Sequence, residues 1–75
     1  VVYPREVLRH ALLVAASGII LLHNHPSGSL RPSDPDIRLT NQLRETAKVL
    51  DLLIHDHLII GGDKWFSFRE EGLIF

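Results

Sequence analysis

Two short apolar segments on either side of an amphipathic one constrain the fold of this chain most strongly. Residues 19–23 and 52–60 are rich in Ile and Leu, a composition typical of buried β-strands. Between them, residues 34–50 repeat Leu and Ala at helical spacing, with charged residues largely on the other faces. Strand, helix and strand in this order predict a βαβ unit with a right-handed crossover. The first strand is expected to be covered on both faces, as strands of such sheets usually are.

The flanking segments add a helix before this unit and a hairpin after it. Pro4 suits the first turn of a helix, and apolar residues recur at helical spacing as far as Ser17. Gly18 is placed to end this helix in the left-handed conformation. A turn at residues 61–63, followed by residues 64–68, predicts a hairpin. The sequence therefore predicts an α/β fold with the order helix, strand, helix, strand, strand.

The length of 75 residues limits the chain to one small domain, residues 1–75. With no cysteine it has no disulfide, no thiolate metal site and no thiol nucleophile, which fits a reducing, cytoplasmic compartment. The net charge of −1 offers no basic excess to neutralise a phosphate backbone. No apolar run is long enough to cross a membrane, so we expect no membrane partner.

The residues best suited to chemistry lie where the first strand ends and the second helix begins. His23 and His25 are two residues apart, so in extended backbone both side chains point to one side, roughly 6–7 Å apart. Asp36, in the first turn of the helix, can add a carboxylate oxygen. Two imidazoles and one carboxylate leave a tetrahedral position for water, as in catalytic zinc sites. We predict that these three residues hold one Zn²⁺ per chain.

Ser33 has two compatible interpretations. Ser33 and Asp36 have the spacing of a helix capping box, which is the more common meaning of this pattern. One turn before Asp36, the Ser33 hydroxyl is also placed to hydrogen-bond the oxyanion that develops on a metal-polarised carbonyl.

These four residues form the string His-x-His-x7-Ser-x-x-Asp, which resembles the motif of JAMM (MPN+) metallohydrolases. The fuller string His-Asn-His-Pro-Ser-Gly, the run from Asp56 to Gly61, residues 66–72 and residues 4–7 resemble the RadC branch of that family. The resemblance covers nearly the whole chain. It implies a cytidine-deaminase-like three-layer α/β fold and a peptide-like substrate.

The resemblance implies zinc bound by His23, His25 and Asp36, with Ser33 assisting at the oxyanion. JAMM relatives cleave peptide or isopeptide bonds, so a zinc-dependent hydrolase that uses a metal-activated water is the first hypothesis. The association of RadC proteins with DNA repair gives an alternative, a DNA-repair-associated or nucleic-acid-binding module. A third possibility is a non-catalytic assembly module that keeps the metal site.

One part of the JAMM pattern has no counterpart here. JAMM enzymes use a glutamate as general acid/base on a strand well upstream of the two histidines. Only 22 residues precede His23, and the segment around Glu6 resembles a later lead-in helix. We therefore expect the chain to be the C-terminal portion of the domain, without its N-terminal strands and with poor turnover. An incomplete sheet would expose a strand edge, which favours a homo-oligomer.

Asp56 and His57 belong to the RadC-like run and lie within the second predicted strand. Such polar positions fit a half-buried strand about as well as a functional role. The resemblance favours a supporting role for both, such as orienting a metal-bound imidazole.

Overall fold

The computed structural model describes residues 4–74, which form two helices and one three-stranded sheet. In chain order the elements are α1 (Pro4–Leu13), β1 (Gly18–Asn24), α2 (Asp34–Val49), β2 (Leu53–Gly61) and β3 (Lys64–Ser67). The predicted α/β class and the predicted order of five elements are confirmed. No helix in this part of the chain is long and apolar enough to span a bilayer.

The sheet has the order β1-β2-β3, with β1 parallel to β2 and β2 antiparallel to β3. Helix α2 connects the two parallel strands, as the βαβ prediction requires. His23 pairs with Ile59, and Asn24 pairs with Ile60. The carboxyl ends of both parallel strands therefore lie side by side. Polar residues that follow β1 therefore lie beside the end of β2.

The core lies between the helices and one face of the sheet. Residues Leu43 and Ala47 of α2 are fully buried, as is Ile59 of β2. The remaining buried apolar residues are Leu8, Ala11, Leu52, Ile54, Phe68 and Ile74. This packing holds α2 against the sheet and thereby fixes the start of α2 relative to the end of β1.

The opposite face of β1 differs from the sequence-based prediction. Ile20 and Leu22 are 58% and 70% exposed, so the expectation that β1 is covered on both faces is wrong for residues 4–74. Composition alone could not show this, because an apolar strand sequence does not reveal whether the second covering layer is present.

The end of the first helix is also corrected. It was predicted to continue to Ser17 and to end at Gly18, but α1 ends at Leu13. The left-handed conformation is adopted by Ala15, at φ 54°. Gly18 begins β1 instead, where an added Cβ would lie 2.5 Å from the Nε2 atom of His55. His55 is an exposed side chain whose ring can move aside, so this contact alone does not require glycine.

Candidate metal centre

The three predicted metal ligands meet where the chain leaves β1 and enters α2. His23 is the second-last residue of β1, and the His25 N–H donates to Ile60 O at 2.9 Å. This hydrogen bond continues the β1–β2 pairing past the end of the strand. Asp36 is the third residue of α2. One potential ligand atom from each of the three side chains lies within 4.8 Å of the other two.

Both histidines lie close to the Asp36 carboxylate, each beside a different oxygen. His23 Nδ1 lies 3.0 Å from Asp36 Oδ1, and His25 Nε2 lies 3.4 Å from Asp36 Oδ2. Imidazole nitrogen and carboxylate oxygen are donors that zinc accepts. The donor set of the three residues therefore suits zinc.

His25 is held in the tautomer that a metal ligand requires. Its Nδ1 atom lies 2.9 Å from Ser29 O, and a carbonyl can only accept, so Nδ1 carries the proton. In the neutral ring, Nε2 then presents its lone pair towards the Asp36 carboxylate. Two acceptors that face each other attract only through a proton or a cation between them. This orientation is the one expected of a ligand imidazole.

The loop that carries His25 packs tightly against the end of β2. The Gly28 N–H donates to His25 O at 2.9 Å. A Cβ added to Gly61 would lie 2.7 Å from Gly28 O, closer than non-bonded atoms approach. Gly61 therefore permits the loop to lie where it does. From the sequence, Gly61 was predicted only as a turn residue, because its neighbour in space is 33 residues away in the chain.

Ser33 and Asp36 form the predicted capping box, which is confirmed. The Asp36 N–H donates to Ser33 Oγ at 3.1 Å, and the Ser33 N–H donates to Asp36 Oδ2 at 2.9 Å. Burial acts to raise the pKa of Asp36, but the Ser33 hydrogen bonds and the two histidines outweigh it and lower that pKa below its usual value. Asp36 is thus an ionised carboxylate near neutral pH. Because Ser33 Oγ only accepts in the cap, its own proton stays available to a substrate.

A cavity of about 590 Å³ opens beside these residues. Its polar wall consists of His23, Asp36 and His57. The apolar lining residues are Val7, Leu21, Leu22, Pro35 and Leu39. An apolar cleft with a few convergent polar groups is the usual form of a small binding site.

His57 is a buried imidazole on the cavity wall, 3% exposed. Burial, as the main cause, lowers the pKa of His57 despite the opposing charge of Asp36. The ring is therefore neutral at pH 7. Its Nδ1 atom lies 2.5 Å from the hydroxyl oxygen of Thr40. Thr40 was not singled out from the sequence, although its place four residues after Asp36 on a helix puts both on one face.

Asp56 lies outside the cluster of metal-binding candidates and fastens the hairpin. Its carboxylate accepts from Ser67 Oγ at 2.5 Å, from the Arg69 N–H at 3.0 Å and from the His57 N–H at 2.7 Å. Burial acts to raise the pKa of Asp56, but these hydrogen bonds, with the charge of Arg69, outweigh it and lower that pKa. Asp56 thus fixes the end of β3 and the segment that follows it.

No glutamate of residues 4–74 belongs to the cluster of metal-binding candidates. Glu6, whose role was left unassigned from the sequence, is an exposed residue of α1 and pairs with Arg9 at 3.9 Å. The site as described therefore holds three ligand candidates and the serine, and no carboxylate base beside them.

The chain leaves the parallel strand β1 through two histidines, and an aspartate lies in the first turn of the helix that follows. This arrangement defines a mixed α/β domain with a candidate metal centre. The chain belongs to the RadC-like JAB domain family, whose family model matches residues 1–73. The RadC resemblance inferred from the sequence is thereby confirmed.

Three relatives of this chain share the name UPF0758 protein. The chain is 55% identical over 73 residues to a UPF0758 protein of Rhodobacter capsulatus, 52% over 73 to one of Ruegeria pomeroyi and 47% over 68 to one of Streptococcus gordonii. These alignments cover 97%, 97% and 91% of this chain, but 34%, 33% and 30% of the relatives. The chain spans about a third of the length of these curated relatives.

Proposed function

We propose that this domain is a zinc-dependent hydrolase of peptide or isopeptide bonds, with His23, His25 and Asp36 as the metal ligands. The observation that carries the proposal is the convergence of the three ligand atoms within 4.8 Å at the end of a parallel strand pair. The resemblance to JAMM metallohydrolases supports the peptide-like substrate. Imidazole with carboxylate favours zinc among the common divalent ions.

Asp36, His25 and Ser33 have different roles in the proposed reaction. A bound zinc ion would supply a water molecule of lowered pKa and polarise the substrate carbonyl. Asp36, ionised and held by Ser33, supplies the negative charge of the ligand set, while the bond to Ser29 places the proton of the neutral His25 ring on Nδ1 and leaves Nε2 as the ligand atom. The Ser33 hydroxyl donates to the developing oxyanion. Without a carboxylate base in the cluster, we expect this chain alone to turn over poorly.

We also propose the cytidine-deaminase-like three-layer arrangement for this domain. The exposed Ile20 and Leu22 on one face of β1 support it, because parallel strands are normally covered on both faces.

Metal analysis of the purified chain tests the ligand assignment. We expect one Zn²⁺ per chain in the wild type and loss of that ion in the variant His23→Ala. The matched control is His10→Ala, since His10 is an exposed histidine of α1 outside the cluster. Zinc content that is unchanged in His23→Ala, or reduced equally in His10→Ala, would remove the proposal.

A further inference from the structure

Two buried polar residues, Thr40 and His57, form a hydrogen-bonded pair behind Asp36. Thr40 Oγ1 donates to Asp36 O at 2.8 Å and lies 2.5 Å from His57 Nδ1. Thr40 is 1% exposed and His57 is 3% exposed. Buried polar groups lower stability unless their hydrogen bonds are made. In so small a core, an apolar pair of similar size would have been the simpler solution.

The protons in this pair can be assigned by counting donors. A threonine hydroxyl has one proton, and here it goes to the Asp36 carbonyl, which can only accept. Thr40 Oγ1 must therefore accept from His57, so His57 Nδ1 carries a proton. The result is a directed chain of hydrogen bonds from β2, through Thr40, to the first turn of α2. Each bond of such a chain polarises and strengthens the next one.

The His57 ring, where this chain of hydrogen bonds begins, is held rigidly in the core. The ring of Phe68 stacks on it, with centroids 4.4 Å apart and planes 13° from parallel. The ring of His23 lies nearly parallel to His57 at 6.1 Å. Phe68 is itself fully buried, and its N–H donates to His57 O at 3.0 Å. The His57 ring cannot turn without moving a core residue.

From this arrangement, and resting on the proposed metal function, we infer that Thr40 and His57 are positioning residues for the ligand Asp36. Ser33 anchors Asp36 from the N-terminal side of the helix, through its N–H and its Oγ. Thr40 and His57 anchor its carbonyl from the other side and tie that turn of α2 to the sheet. Together they set where the carboxylate stands relative to His23. The role predicted from the sequence, orienting an imidazole, is a different one and stays a prediction.

Zinc affinity, measured by competition with a chromophoric chelator, tests the inference. Thr40→Val has nearly the same shape but lacks the hydroxyl, and we expect about 10–100-fold weaker zinc binding, as is typical when a partner of a metal ligand is lost. Thr40→Ser keeps the hydroxyl and should bind as the wild type does. The visible absorption of the Co²⁺ form should also change in Thr40→Val, because the carboxylate shifts, and return in Thr40→Ser.

Thr46→Val is the matched control. Thr46 Oγ1 donates to Gln42 O at 2.9 Å, the same bond four residues back on the same helix, but Thr46 is exposed and lies nearly three turns from Asp36. We expect wild-type zinc affinity in this variant. An equal loss in Thr46→Val would show that general helix stability governs binding, and would overturn the inference.

His57→Phe provides a second test that does not depend on the folding of Thr40→Val. It keeps an aromatic ring against Phe68 and removes the Nδ1 donor, so it should weaken zinc binding like Thr40→Val. Because both changes break the same chain of hydrogen bonds, the double variant should lose little more zinc affinity than either single variant. Wild-type affinity in both single variants would overturn the inference and leave the metal function intact. Absence of zinc and cobalt binding in the wild type would overturn the metal function itself.

Discussion

Asp36 serves several partners at once, and this sharing explains why the site tolerates little displacement. Its Oδ2 atom accepts from the Ser33 N–H and faces His25, while Oδ1 faces His23. A shift of the carboxylate towards one partner lengthens the distance to another. The positions of the ligand residues therefore depend on the backbone contacts around them, and one of these is the approach of Gly61 to the loop, where an added Cβ would lie 2.7 Å from Gly28 O.

We predict that Gly61→Ala weakens zinc binding, because the new Cβ would lie 2.7 Å from Gly28 O and push away the loop that carries His25. A loss of about 10–100-fold is expected, similar to that for other changes around metal ligands. Zinc titration of the purified variant measures it.

Gly62→Ala is the control for this prediction. Gly62 has φ +64° and open space around its Cβ position, so alanine there costs roughly 1–2 kcal/mol of backbone strain without touching the loop. Urea unfolding should show the lost stability, and zinc affinity should stay at the wild-type value. If both variants lost affinity in proportion to stability, the steric explanation would be wrong.

At the scale of elements, the sequence predicted most of what depends on local pattern. The capping box of Ser33 and Asp36 and the strand that ends in His23 are local signals, and the structure has both. The early end of α1 was missed because a left-handed Ala15 has no sequence signature, whereas Gly18 has an apparent one. Glycine at a contact between distant segments looks the same in a sequence as glycine in a turn.

In the candidate site, too, the features with a local sequence signal were predicted and those that depend on distant contacts were not. The three predicted ligands do meet, because a strand end and a helix start can be placed from periodicity and spacing. Thr40 and Gly61 were missed, because their importance depends on a partner far away in the sequence. Thr40 meets His57, 17 residues later. Only tertiary packing reveals such pairs.

The start of α2 gives a prediction about stability. In Ser33→Ala the Asp36 N–H loses its acceptor, which should lower the free energy of unfolding by about 1 kcal/mol. Ser33→Gly should lose only a few tenths of a kcal/mol, because glycine is nearly as good at this position. Urea denaturation of the metal-free variants at neutral pH measures the difference. A loss near zero in Ser33→Ala would mean that the Ser33 hydroxyl contributes little to the helix.

On the scale of the whole molecule, the two edges of the sheet are unlike each other. Strand β3 is short, with four residues that include Lys64, and short, charged edges resist pairing with other chains. Strand β1 has seven residues with no proline and no acidic or basic residue besides His23. In the sheet formed by residues 4–74, its outer side has no paired strand. One edge is thus protected and the other is not.

The register adds an apolar surface to that unprotected edge. Leu22 pairs with Leu58, and Ile60 pairs with Trp65. Because side chains alternate between the two faces along each strand, Ile20, Leu22 and Trp65 lie on the same face of the sheet. Trp65 is 63% exposed, similar to the other two. An unpaired strand beside an exposed apolar face is the surface on which a second copy of this chain could pair.

We predict that the 75-residue chain self-associates weakly through β1. Each such side chain that becomes fully buried contributes roughly 1.5–3 kcal/mol, while association itself costs about 4–15 kcal/mol. Because these quantities are of similar size, the dimer should form and dissociate with concentration, which sedimentation velocity over a range of concentrations would show. Ile20→Lys places a charge on the edge strand and should give a monomer, whereas Leu13→Lys, a change at an exposed leucine of α1, should not. A wild-type chain that stays monomeric at every concentration, or equal dissociation in both variants, would contradict pairing through β1.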